Sequence, residues 1–177
     1  MRVVAGTLGG RVLNAPRGAA TRPTSDRVRE ALFSILASVD GSRVLDLFAG
    51  SGALGIEALS RGAATATFVD SASAAIAAIR RNLELLGLQA EVLRMPALRA
   101  LACTPVVERE YDLVFLDPPY RMASSLGLQL STALPPVLAK GARVVVESDR
   151  RAPLELDMKL LRERQYGDTL IRVHVVG

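Results

Sequence analysis

Short apolar runs alternate with amphipathic stretches along most of the chain. Runs of apolar and β-branched residues bounded by turn residues predict strands at 44–48, 65–70, 90–95, 111–116, 143–147, 157–165 and 168–176. Apolar residues three and four positions apart predict helices at 26–37, from 53 to a stop at 61–62, at 71–86 and at 125–138. Alternating strands and helices predict an α/β fold, with a mostly parallel, doubly wound sheet covered by helices on both faces.

Two stretches fall outside this alternation. Residues 2–5 and 10–14 flank a glycine-rich turn and predict an N-terminal β-hairpin outside the main fold. We therefore expect a hairpin extension over residues 1–20 and one domain over 21–177. The stretch 95–110 predicts only a short helix and an irregular loop.

The positive charge is concentrated at one end of the chain. The net charge is +4, and residues 31–177 carry sixteen basic and sixteen acidic side chains, so the excess lies entirely in the first thirty residues. Arginine suits bidentate phosphate contact, so the segment favours a nucleic-acid partner, with a solvated surface as the alternative. The candidate RNA-binding residues are Arg2, Arg11, Arg17, Arg22, Arg27 and Arg29.

Several function classes are disfavoured by composition. Cys103 is the only cysteine and His174 the only histidine, so we expect no disulfide framework, no metal site and no histidine-activated nucleophile. The apolar runs are short for a membrane span, and the N-terminus lacks a signal-peptide core. These features predict a cytoplasmic protein.

The first strand of the main fold leads into a glycine turn. The stretch 50–55 reads Gly-Ser-Gly-Ala-Leu-Gly, which fits G-x-G-x-x-G, and Asp70 follows about twenty residues later, where a carboxylate would hold a ribose. Glycines allow close approach of a ligand to the backbone, and the helix start offers unpaired N–H groups. We therefore expect Ala49, Gly50, Gly52 and Asp70 to bind a nucleotide-like cofactor.

Asp46 indicates which cofactor this is. A carboxylate beside the turn would repel a pyrophosphate, whereas it would attract the cationic methionine end of S-adenosylmethionine. A nicotinamide-dependent enzyme would also need a substrate domain, for which the chain is too short. S-adenosylmethionine is thus favoured over a nicotinamide nucleotide or a plain structural turn.

A second motif follows the fourth main strand, where Asp117, Pro118, Pro119 and Tyr120 are consecutive. If strands 44–48 and 111–116 flank the point where the strand order reverses, Asp46 and Asp117 end side by side. The prolines stiffen the backbone, so its carbonyls and the Asp117 carboxylate become fixed acceptors for an exocyclic amine, and Tyr120 can stack on a base. This arrangement favours methyl transfer to a nucleobase over the alternative, simple strand termination.

Taken with these motifs, the chain resembles the RsmD family of class I methyltransferases that modify guanine N2 in small-subunit (16S) ribosomal RNA. The stretch 22–30, Arg-Pro-Thr-Ser-Asp-Arg-Val-Arg-Glu, resembles that family's N-terminal signature, and 166–169 also fits. The resemblance implies a Rossmann-like, seven-stranded sheet with an antiparallel last strand, S-adenosylmethionine as donor, and 46–55, Asp70 and 117–120 as the site. Many class I enzymes have an acidic residue after the third strand. Here 95–97 is Met-Pro-Ala, so adenine would be held near Ala97 and Leu98.

Two alternative functions stay open. The 117–120 loop serves any exocyclic amine, so an adenine-N6 methyltransferase differs only in lacking the signature at 22–30. An RNA-binding module without catalysis is the other alternative, although such a module has no use for aligned acceptors. Free RNA and an assembling ribosomal particle are the two alternatives for the substrate.

Overall fold

A computed structural model of the protein describes residues 1–16, 25–119 and 123–177, with 123–125 described by their backbone alone. Within these residues the strands are β1 Arg43–Leu47, β2 Thr65–Asp70, β3 Glu91–Arg94, β4 Tyr111–Leu116, β5 Leu138–Asp149, β6 Lys159–Tyr166 and β7 Thr169–Val175. The α-helices are α1 Asp26–Leu36, α2 Ala53–Ser60, α3 Ser73–Leu86, α4 Ala97–Ala100 and α5 Ala123–Ala133. None of these helices is long and apolar enough to cross a membrane.

The strands form one sheet in the order β3-β2-β1-β4-β5-β7-β6. β1 pairs in parallel with β2 and β4, and β7 runs antiparallel to both β5 and β6. The α/β fold and the antiparallel last strand are therefore confirmed. The strand order reverses between β1 and β4, so the two site motifs, which follow these strands, lie at the switch point.

The predicted bounds differ most after β4. Helix α5 ends at Ala133 rather than 138, because Pro135 and Pro136 cannot continue an α-helix and form a short 3₁₀ turn. β5 begins at Leu138 rather than Arg143, with a break in its register against β4. The predicted helix 125–138 and strand 143–147 are wrong at these ends.

Each face of the sheet has its own apolar core, as alternation along buried strands requires. Val44 and Phe115 point into the core beneath α1, α2 and α3, whereas Leu45 and Leu116 point into the core beneath α4 and α5. Burial on both faces explains why β1 and β4 are mostly apolar rather than alternating. The polar exceptions on these strands stand out for that reason.

The N-terminal segment contributes to the first of these cores. Val3 and Leu13 are 1% and 4% exposed, and a single bridge pairs Arg2 with Val12. The amides of Val4 and Ala5 donate to the buried Glu57 carboxylate at 2.7 and 3.0 Å. Residues 1–16 thus pack onto α2 instead of standing apart from the fold. The predicted boundary at residue 20 lies outside the described residues and stays a prediction.

Candidate active site

The site lies where β1 and β4 end side by side. Asp46 pairs in register with Phe115, and Leu47 with Leu116, so Asp117 is the first residue beyond the β4 ladder. Neighbouring strands are about 4.8 Å apart, which brings Asp46 and Asp117 to the same edge of the sheet. The predicted adjacency of the two motifs is confirmed by this register.

The turn after β1 has a backbone path that few residues can follow. Phe48, Gly50 and Gly52 have φ of 66°, 57° and 78°. The glycines adopt this left-handed conformation easily, but a bulky residue such as Phe48 does so at a cost of about 1–2 kcal/mol. Strain of this kind is typical of sites where the fold holds a backbone in place for a ligand. No local pattern in the sequence signals this conformation of Phe48.

Asp70 ties the glycine turn to the end of β2. One carboxylate oxygen accepts from the Gly50 amide at 2.9 Å and the other from the Ala72 amide at 2.8 Å. The Ala49 amide donates to the Val69 carbonyl at 3.0 Å. Each carboxylate oxygen retains a lone pair for a further donor. The structure thus brings three of the predicted cofactor-binding residues, Ala49, Gly50 and Asp70, into one hydrogen-bonded unit.

Asp46 is the electrostatic centre of this edge. Its side chain is 2% exposed, and one oxygen accepts from the Gly55 amide at 2.9 Å in the first turn of α2. Burial raises the pKa of Asp46 to about 7, with a smaller upward contribution from the Asp70 charge and an opposing one from the Gly55 hydrogen bond. The Gly55 hydrogen bond offsets only part of the cost of burying this negative charge, so a bound cation would stabilise the ionised carboxylate.

Asn82 fixes the other side of the turn, and sequence reasoning missed it. Its side-chain amide donates to the carbonyls of Asn14 at 3.0 Å and Ser51 at 2.9 Å, and its oxygen accepts from the Asn14 backbone amide at 2.8 Å. Asn82 is fully buried. It follows Ile79 by three positions on the apolar face of α3, and a polar residue on such a face was the available signal.

The 117–120 motif is described only in part. Asp117 is half-buried, Pro118 is buried and Pro119 is exposed at the surface. Tyr120 lies outside the described residues. Proline rings on two successive residues restrict this backbone just beyond the end of β4. The acceptors of the motif are therefore held at the edge of the sheet that Asp46 also occupies.

The residues expected near adenine lie on the opposite side of the sheet from α2. Ala97 is buried at the start of α4, and Leu98 is half-buried. Leu98, Met95 and Phe48 all pack against the core beneath α4 and α5. This arrangement provides an apolar surface rather than a side-chain hydrogen-bonding group.

The structure divides the six candidate arginines. Arg2, Arg11 and Arg27 are exposed, and Arg17 and Arg22 lie outside the described residues. Arg29 has no exposed surface, since its guanidinium pairs with Asp26 at 2.7 Å and donates to the Arg2 carbonyl. It has no surface with which to contact a phosphate, so we remove it from the RNA-binding set.

The residues disfavoured for chemistry on composition lie on elements that carry neither site motif. Cys103 is a free cysteine after α4. His174 is 3% exposed on β7, and burial lowers the pKa of its imidazole. In residues 1–16, 25–119 and 123–177 no group of three or more His, Cys, Asp or Glu side chains is arranged to hold a metal ion.

Comparison with solved structures defines the class of fold. The chain aligns with a putative methyltransferase, yhhF, from Escherichia coli with a TM-score of 0.84 and 36% identity, covering 99% of this chain and 97% of that one. A putative methylase, HI0767, from Haemophilus influenzae aligns with a TM-score of 0.78 and 32% identity, covering 99% and 97%. The fold is therefore that of the Rossmann-like class I methyltransferases.

Comparison of sequences then gives the family. Residues 1–175 match the family described as conserved hypothetical protein 95, and the chain belongs to this family, the RsmD family indicated by its motifs. A putative rRNA methyltransferase, YlbH, from Bacillus subtilis is 40% identical over 180 residues, which cover 98% of each chain. Ribosomal RNA small subunit methyltransferase D from Haemophilus influenzae is 35% identical over 182 residues, covering 98% of this chain and 93% of that protein.

Proposed function

We propose that this protein transfers a methyl group from S-adenosylmethionine to the exocyclic N2 amine of a guanine in small-subunit ribosomal RNA. The observation that carries the proposal is the register between β1 and β4. It sets the buried Asp46 and the Asp117-Pro118-Pro119 segment side by side at the switch point. One motif suits a cationic cofactor and the other suits an amine, so their juxtaposition supports transfer between the two.

The residues around the glycine turn fit S-adenosylmethionine. A Cβ built on Gly50 would meet no atom within 4 Å, so one side of the turn is open to a ligand. Asp46 supplies a buried carboxylate for the ammonium of the methionine end, and Asp70 has lone pairs for ribose hydroxyls. When bound, the cofactor supplies an electrophilic methyl group on its sulfonium. Ala97, Leu98 and the apolar residues beside them would cover the adenine.

Asp117 is assigned the task of positioning the amine. The lone pair of an aromatic amine is conjugated with the ring, so it attacks only when its N–H bonds are held by acceptors that aim the nitrogen. The Asp117 carboxylate and the adjacent backbone carbonyls are such acceptors, and Pro118 and Pro119 restrict their motion. No strong base is required, because the nitrogen loses its proton easily once it is cationic. Stacking of the base on Tyr120 remains part of the proposal.

The substrate assignment rests on the relatives and on the N-terminal signature. The Haemophilus influenzae relative is named a small-subunit ribosomal RNA methyltransferase, and 98% of this chain aligns with it. The choice of guanine N2 over adenine N6 rests on the signature at 22–30. We propose that RNA phosphates are contacted by the basic N-terminal segment through Arg2, Arg11, Arg17, Arg22 and Arg27. The substrate is either free RNA or RNA within an assembling ribosomal particle.

Nucleoside analysis tests the reaction directly. Small-subunit RNA and small ribosomal subunits from cells lacking the protein should acquire N2-methylguanosine when incubated with the purified enzyme and S-adenosylmethionine. Asp117→Ala should lower turnover by about a hundredfold or more, as loss of a positioned polar group does, with a much smaller effect on cofactor affinity.

Asp112→Asn is the matched control, because Asp112 lies at the other end of β4 and pairs with Arg43 at 3.0 Å. It should retain activity. N6-methyladenosine as the product, or near wild-type turnover in Asp117→Ala, would contradict the proposal. Binding of RNA without any methylation of either substrate would instead favour the noncatalytic RNA-binding module.

The role of the N-terminal segment has its own test. Replacing Arg2, Arg11 and Arg17 together by alanine should reduce the slope of log affinity for RNA against log salt by about 0.7–0.9 for each phosphate that the protein no longer binds. Affinity for S-adenosylmethionine should not change. An unaltered salt slope would show that the segment is structural and that RNA is bound elsewhere.

A further inference from the structure

An open groove lies beside the active-site edge but outside the site described above. It has a volume of about 620 Å³, and its walls are α1 and the turn between β6 and β7. Six of its lining residues are Arg27, Glu30, Ala31, Ser34, Tyr166 and Gly167. The groove therefore presents an aromatic ring, small residues and charged groups to solvent.

The sheet register places one end of this groove at the active-site edge. Tyr166 pairs with Thr169 across the β6–β7 turn, and Thr169 pairs with Asp149 at the end of β5. β5 runs parallel to β4, so its end lies at the same edge as Asp117. Three strand spacings separate β4 from β6 in the sheet order, which corresponds to about 14 Å. A strand of nucleic acid with one base at Asp117 can extend from there to Tyr166.

The face of β6 beside the groove is basic. Arg162 pairs with Val173 and Arg164 with Ile171, and both partners belong to the core beneath α1. Paired residues on antiparallel strands point to the same face, so both arginines project on the α1 side of the sheet. Both are exposed. They continue the line of the groove from Tyr166 along the strand.

The one acidic residue of β6, Glu163, projects on the opposite face of the strand. Glu163 pairs with Arg172 at 2.7 Å on the other face of β6. No carboxylate within the described ranges forms an ion pair with Arg162 or Arg164. Across the groove α1 contributes Arg27 and one acid, Glu30. Charged residues on an edge strand also discourage edge pairing, but that role does not call for a groove with an aromatic ring at its end.

We propose that this groove binds the single-stranded RNA next to the target nucleotide, which extends the proposed function and rests on it. A flanking base stacks on Tyr166, and the phosphates that follow contact Arg164 and Arg162. Stacking on an aromatic side chain and contact between arginine and phosphate are the two interactions that single-stranded RNA requires, and neither depends on base identity. The groove thus supplies affinity for RNA and orients the strand, while the Asp117 segment positions the exocyclic amine of the target base.

The test compares two double variants with equal loss of charge. Arg162→Ala/Arg164→Ala removes the two arginines beside the groove, and Arg80→Ala/Arg81→Ala removes two exposed arginines of α3, which packs on β2 and β3 at the other end of the strand order. Binding to purified small-subunit RNA is measured across a range of salt concentrations. The groove variant should bind about tenfold more weakly, with a salt slope lower by about 1.4, whereas the α3 variant should match the wild type. Equal behaviour of the two variants would overturn the proposal.

Tyr166→Leu tests stacking while it preserves the apolar contact of Tyr166 with the core. We expect about a tenfold rise in KM for RNA or for small subunits, with little change in kcat or in affinity for S-adenosylmethionine. An unchanged KM would exclude stacking at this position.

The outcomes separate this inference from the proposed function. If the wild-type protein methylates neither small-subunit RNA nor small subunits, but the groove variants lose RNA affinity, the proposed function is refuted. The inference that the groove binds RNA then still holds. Wild-type RNA affinity and wild-type KM in every groove variant of an active enzyme would refute the groove and leave the methyltransferase standing.

Discussion

The raised pKa of Asp46 predicts an unusual pH dependence of stability. In the folded protein the pKa is about 7, against an ordinary value of 3.8. Between these values the folded protein keeps the proton while the unfolded chain has released it. The protonated Asp46 therefore stabilises the folded protein fully below pH 3.8, and this stabilisation is lost as the pH rises through 7. A gap of about three pH units corresponds to about 4 kcal/mol.

Asp46→Asn isolates this contribution, because asparagine resembles the protonated carboxyl and does not titrate. Urea unfolding of both proteins at pH values from about 4 to 8 and constant ionic strength gives the free energy of unfolding of each. Subtracting the variant from the wild type cancels the titration of all other groups. This difference should fall by about 4 kcal/mol between the two ends of that pH range.

Asp112→Asn is the control with the opposite expected sign. The hydrogen bond to Arg43 lowers the pKa of Asp112, so its contribution is present above its ordinary pKa and is lost on acidification. The wild-type-minus-variant difference for Asp112 should not fall as the pH rises. A difference for Asp46 that stays constant within about 1 kcal/mol would refute the assignment of a raised pKa.

Three further predictions concern the same edge of the sheet. Affinity for S-adenosylmethionine, measured by calorimetry, should fall about tenfold per pH unit below pH 7, because Asp46 must release its proton to pair with an ammonium; a pH-independent affinity between about pH 5 and 7 would contradict this pairing. Asn82→Ala should lower the free energy of unfolding by about 3 kcal/mol, since it leaves several buried groups without hydrogen bonds, whereas Glu84→Ala on the exposed face of the same helix should change it by less than about 0.5 kcal/mol. Gly55→Ala should destabilise the fold by about 1–3 kcal/mol in the same assay, because the added Cβ would lie 2.4 Å from a ring carbon of Phe68; unchanged stability would show that the ring moves aside freely.

Much of the fold could be predicted because its signals are local. The predicted strands at 65–70 and 111–116 have the observed bounds of β2, Thr65–Asp70, and β4, Tyr111–Leu116, since both are short runs of mostly apolar and β-branched residues that an acidic residue closes or follows. Gly87 ends α3 in the left-handed conformation expected of a glycine at that position. The adjacency of Asp46 and Asp117 followed from the rule that ligands bind where the strand order reverses.

What the sequence by itself determined was the order of elements and the chemistry at their ends. Helices, strands and turns are set by residues close together in the sequence. A carboxylate that follows a buried parallel strand lies at the carboxyl edge of the sheet in any order of those strands. Only the tertiary structure decided which polar residues form internal contacts that stabilise the fold and which are exposed to a ligand. Arg29 was expected at an RNA surface but is buried on Asp26, while Arg162 and Arg164, in a strand with no functional motif, project beside the groove. Burial and charge pairing depend on contacts between residues far apart in sequence, which local patterns do not encode.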